Sequence, residues 1–91
     1  NILMFESEGP KTMAVLKSGR YEIKKTLSEL EEQLVTKNFM RVSKSALVNL
    51  NKIISLAPAA DRTILITLSG KINTRVSRKH AADFKKRLEL M

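Results

Sequence analysis

The three glycines of this chain stand at breaks between short apolar runs, and that placement limits what the backbone can become. Gly9-Pro10 separates Ile2, Leu3, Met4 and Phe5 from a second run at residues 12–17, where Met13 and Val15 share a face. Ser18-Gly19 turns that run back into residues 20–24, in which polar and apolar side chains alternate. Ser69-Gly70 does the same between residues 63–68, rich in β-branched side chains, and residues 71–76. Such runs are too short for helices and have period two, so hairpins are expected. The first hairpin should present one wet face.

Two segments break this pattern. Thr26-Leu27-Ser28-Glu29 is a capping box: Thr26 can accept the amide three residues on, and Glu29 can reach back to the Thr26 N–H. Leu27, Leu30 and Leu34 then form one apolar stripe, with Glu29, Glu31 and Glu32 near the positive end of the helix dipole. Ser77 is the expected N-cap of a last helix over residues 78–90, with Ala81, Phe84, Leu88 and Met91 as its stripe. Lys85, Lys86 and Arg87 sit towards its C-terminal end, where the dipole favours cations. The expected fold class is mainly β with short helices (α+β): hairpins, one short central helix and a C-terminal helix, in a single domain over residues 1–91.

At 91 residues the chain has room for one modest core. Lysine and arginine number 17 against 9 acids, a net charge of +8, which draws a protein towards polyanions. There is no cysteine, so no disulfide, thiol nucleophile or cysteine-based metal site is expected. His80 is the sole histidine, and no metal or other cofactor is expected. A Ser77–His80–Asp83 triad would lie on one helix with no oxyanion hole beside it, so the chain does not read as an enzyme. No apolar run approaches the roughly 18–20 residues of a membrane-spanning helix, and a cytoplasmic location is the expectation. The chain enters an apolar run without an initiator methionine, as a C-terminal fragment of a longer protein would.

Two basic constellations remain. Residues 39–54 place Arg41, Lys44 and Lys52 around the polar centre Ser43-Lys44-Ser45, with apolar residues on both sides and no acid within. This reads as an anion-facing loop anchored by the core. The second runs through Lys71, Arg75, Arg78 and Lys79, again without an acid. Arg78 and Lys79 follow Ser77 at a strand-to-helix junction, where helix amides can also face a phosphate. An arginine there can reach guanine O6 and N7 with two hydrogen bonds.

These residues carry a resemblance. Ile2-Leu3-Met4-Phe5-Glu6, the helix from Thr26 to Glu31, the block from Phe39 to Ile53, and Val76-Ser77-Arg78-Lys79 resemble, in order, the LytTR DNA-binding domain. That is the output domain of bacterial LytR/AlgR-type response regulators in two-component systems. The resemblance implies an elongated β-sheet domain whose loops enter successive major grooves of double-stranded promoter DNA. It implies base contacts at Thr12, in the first hairpin loop, and at Lys44 and Arg78. Lys11, Arg41, Ser43, Ser45, Arg75 and Lys79 would meet the sugar–phosphate backbone. It further implies dimer-like occupancy of paired sites and an upstream receiver or sensory domain. The chain departs from the family pattern at Ser43, where histidine is usual, at Ala46, where an aromatic is common, and at Gly9-Pro10 in the first loop.

Two rival readings use the same residues. A generic polyanion or RNA-binding module would need only the charge. A protein-interaction domain with decayed DNA loops would account for Ser43 and Ala46.

Overall fold

A computed structural model of the protein describes residues 1–89. Eight strands and two α-helices follow in the order β1 (Met4–Glu8), β2 (Lys11–Leu16), β3 (Gly19–Ile23), α1 (Leu27–Gln33), β4 (Phe39–Ser43), β5 (Ala46–Asn49), β6 (Ile53–Pro58), β7 (Ile64–Leu68), β8 (Ile72–Val76) and α2 (Arg78–Glu89). They build a five-stranded sheet of order β3-β2-β1-β5-β4 and a three-stranded sheet of order β6-β7-β8. All the strand pairings are antiparallel. The α+β expectation holds, strands dominating.

Side-chain alternation in the larger sheet creates two cores where one was expected. Phe5, opposite Ala14 and Leu47, turns towards Leu27 and Leu30 of α1. Met4, opposite Val15 and Val48, turns to the other side, where Ile66, Leu68, Val76 and Phe84 join it. The sheet is therefore covered on both faces, and the single wet face expected of the first hairpin is not found at its centre: Ala14 and Val15 are both buried. Each cluster is small, but adjacent residues on one strand serve both.

The capping box forms as expected, with Thr26 Oγ1 accepting the Glu29 N–H at 3.1 Å and Glu29 Oε1 accepting the Thr26 N–H at 2.9 Å. The first strand lies later than expected, running on through Glu6 and Glu8. One Arg20 nitrogen lies 2.7 Å from both carboxylates, which makes these acids tolerable on a strand that leaves the core. Residues 39–54 also differ from the expected loop. They form a hairpin, β4–β5, whose turn is Lys44-Ser45, followed by a 3-10 turn at Leu50–Lys52 into β6.

Asn49 ties this segment to the chain start. Its side-chain amide donates to the Ile2 carbonyl at 2.9 Å, and its side-chain oxygen accepts the Asn51 N–H at 3.1 Å. Phe39 rests against Phe5, ring centroids 5.6 Å apart, as part of the scaffold under the turn. The C-terminal helix starts where expected, and Ala81 and Phe84 of its stripe are buried. Met91, also assigned to that stripe, lies outside the described residues.

Candidate nucleic-acid interface

The β4–β5 turn and the β8–α2 junction are distant in sequence, yet the Ser77 N–H donates to the Val42 carbonyl at 2.9 Å. That bond sets the start of α2 beside the end of β4. Ser43 and Ser77 consequently stand between two shallow clefts. One is lined by Ser45, Arg75 and Arg78 with Glu6, Asp61 and Thr63. The other is lined by Lys44, Lys79 and His80 with Arg41 and Glu31. Lys44 and Arg78, expected as base readers, thus face different clefts on either side of the serines.

The first hairpin reaches the same end of the molecule. Glu6 pairs with Ala46, and the next strand residue, Ser7, donates its N–H to the Ser45 carbonyl at 2.9 Å. Beyond that point β1 continues to Glu8, so the Gly9-Pro10 turn projects past the Lys44-Ser45 turn. Gly9 has φ +61°, a left-handed conformation that a glycine adopts without strain. Lys11 follows as the first, exposed residue of β2. Thr12 is different: it pairs with Ser7 and Ile23 inside the sheet and is 9% exposed. It is a strand residue, not a loop residue, because the tight Gly9-Pro10 turn lets pairing resume at Lys11. In the first hairpin the exposed group beside it is Lys11.

The two arginines that the resemblance placed at the sugar–phosphate backbone have internal partners. Arg41 donates from Nε to the Ser43 carbonyl at 2.9 Å and from Nη2 to the Lys44 carbonyl at 2.7 Å. Its Nη1 meets Glu31 of α1 at 2.9 Å. Arg75 Nη1 bonds Asp61 at 3.2 Å and the Thr63 hydroxyl at 3.1 Å. The Thr63 hydroxyl and amide, with Arg75 adding a smaller effect, hold the Asp61 carboxyl below the usual aspartate range. Ser43 also works internally, its Oγ accepting the Ser45 N–H at 3.2 Å across the turn. By contrast Lys11, Lys44, Arg78 and Lys79 are exposed and make no ion pair among the described residues.

A family model of the LytTr DNA-binding domain matches residues 1–89. The chain belongs to the LytTR family. The solved LytTr DNA-binding domain of a Bacillus cereus protein superposes on it with a TM-score of 0.89 at 28% identity, covering 96% of this chain and 80% of that one. The sensory transduction protein LytR of Staphylococcus saprophyticus is 29% identical over 70 residues, 77% of this chain. The chain spans 28% of the length of that relative.

LytTR domains are DNA-binding domains and not enzymes, and DNA is accordingly the partner of this one. No helix among the described residues is long and apolar enough to cross a membrane. Within this LytTR domain, two acids pair with the arginines in ways the sequence did not show in full. Glu31 lies ten positions before its partner Arg41, and only the packing of α1 beside β4 joins them. Asp61 was legible in part, since Asp-x-Thr is a common side-chain-capped turn, and here Asp61 accepts both the Thr63 N–H and hydroxyl. Its reach to Arg75 depends on the pairing of β7 with β8.

Proposed function

We propose that this LytTR domain reads double-stranded promoter DNA by sequence, as the output part of a longer bacterial response regulator. The observation that carries this is the Ser77–Val42 bond, which gathers the β4–β5 turn and the β8–α2 junction at one end with their cations exposed. Lys44 and Arg78 serve as base readers, Arg78 best suited to guanine O6 and N7. Lys79, Lys11 and the turn residues Ser43 and Ser45 contact the sugar–phosphate backbone. Arg41 shapes the surface from within, and Arg75, exposed but paired with Asp61, borders one cleft. These neighbouring turns would enter the major grooves of the duplex. Paired sites would take two copies. The remaining length of a LytR-like protein would hold the receiver segment, in the cytoplasm.

The test is selection from random duplexes followed by titration at two salt concentrations. Arg78→Ala should cost about 1–3 kcal/mol on the selected duplex and relax preference at one base pair. Lys79→Ala should weaken selected and scrambled duplexes alike and lower the salt slope by about one. Equal affinity of the wild-type domain for selected and scrambled duplex would instead favour generic polyanion binding. Unchanged binding by Arg78→Ala would remove Arg78 from the base contacts.

A further inference from the structure

We propose that His80 is an additional DNA ligand, a neutral hydrogen-bond donor to a backbone phosphate, with Ser77 as the residue that positions its ring. The inference rests on the duplex-binding reading above and adds a contact to it.

His80 is the third residue of α2 and is half-buried. Its Nδ1 lies 2.8 Å from Ser77 Oγ. Ser77 is itself fixed, because its N–H bonds the Val42 carbonyl, and the His80 N–H closes back on the Ser77 carbonyl at 3.0 Å. A surface histidine is ordinarily free to rotate. This one is held by a hydroxyl whose own backbone is anchored to the neighbouring strand.

Either atom can donate in that bond, and a phosphate ligand needs the arrangement in which the Ser77 hydroxyl donates to Nδ1. When the Ser77 hydroxyl donates to Nδ1, the neutral ring carries its proton on Nε2. That leaves one donor for an outside acceptor. His80 lines the cleft with Lys44 from the β4–β5 turn and Lys79 from α2. Arg41 of β4 and Glu31 of α1 complete its charged lining, and those two are bonded to each other at 2.9 Å. The unengaged charge of the cleft is therefore the two lysines, and the acceptor such a group attracts is an anionic oxygen. Lys44 and Lys79 supply attraction with little direction, while a fixed imidazole N–H supplies direction. Asp83, which would be needed to extend Ser77–His80 into a proton relay, makes no hydrogen bond to the ring among the described residues. The pair is thus arranged for orientation and not for nucleophile activation.

The experiment uses the domain with the duplex recovered by selection and a scrambled duplex of equal length, each titrated across salt. His80→Ala should weaken both duplexes alike, by about three- to tenfold, the range of a single net hydrogen bond. The salt slope should stay unchanged, since a neutral donor releases no counterion. His80→Gln, which keeps an N–H donor, should recover most of the loss. Ser77→Ala should fall between, and the ring Nε2 resonance of the wild-type domain should shift when DNA is added. Equal binding by His80→Ala and wild type would overturn the proposal while leaving the duplex reading intact. A loss confined to the selected duplex would make His80 a base contact and overturn the phosphate assignment, and a salt slope lowered by about one would overturn the neutral donor. A wild-type domain that bound neither duplex would overturn the duplex reading along with this one.

Discussion

Arg41 donates to two turn carbonyls and to Glu31, and its side chain is only 19% exposed, so its guanidinium shapes Lys44 from behind. A lysine could not span those acceptors, because one ammonium lacks the planar fork. Arg41→Met should cost about 2 kcal/mol in urea unfolding, the scale of charge-assisted bonds lost from a half-buried site. It should also lower affinity for the selected duplex more than for the scrambled one, since the turn that carries Lys44 loses its clamp. Arg41→Lys should behave like Arg41→Met in both measurements. A pure phosphate contact would weaken both duplexes equally, which is the outcome that separates the two roles. At this scale the sequence marked the charge of Arg41 and Arg75 correctly but could not tell paired from unpaired cations. The partners Glu31 and Asp61 are brought close by folding alone.

Among the elements, α1 was the most legible. Its capping box, its Leu27–Leu30 stripe and its acidic first turn are all local, and each forms as the spacing requires. The Thr26 amide and hydroxyl bonds hold the Glu29 carboxyl below its ordinary range. The sign follows from linkage: a depressed folded-state pKa contributes stability above the unfolded value, and that contribution fades as pH falls through the folded one. Stability should therefore decline below the usual glutamate range near pH 4.5, and Glu29→Gln should flatten that part of the profile in acid-dependent thermal melts. Identical acid limbs in the two proteins would remove the cap from the pH dependence. The β4–β5 hairpin was less legible. Its apolar flanks were visible as anchors, but Ser43-Lys44-Ser45 read as a loop and not as the turn of a hairpin. The bond from the Ser45 N–H to Ser43 Oγ, with the Arg41 clamp, closes it into a tight turn.

For the molecule as a whole, Phe84 links the reading surface to stability. It is fully buried where α2 meets both sheets, among Val42, Ile66, Leu68 and Val76. Phe84→Ala should cost about 3–5 kcal/mol. A domain of this size holds only about 5–14 kcal/mol in total. The urea midpoint should drop sharply at an unchanged slope, and DNA affinity should fall with it as α2, carrying Arg78, Lys79 and His80, loses its seat. Full duplex affinity in a destabilised Phe84→Ala protein would mean that the junction holds its place without that packing.

Strand and helix types, the capping box, the turn glycines and the two basic segments were determined by the sequence alone, because each depends on residues a few positions apart. So was the family, through the block from Phe39 to Ile53 and the ending at Lys79. Only the tertiary structure decided which cations are paired with acids and how the recognition segments meet. Thr12 was drawn into the sheet by pairing on both sides, Arg41 and Arg75 were claimed by acids from other elements, and Ser77 was fixed to β4. These outcomes depend on contacts between elements, whose distances come from strand order and packing. The resulting surface places Lys44 and Arg78 on either side of Ser43 and Ser77, an arrangement that neither basic segment contains by itself.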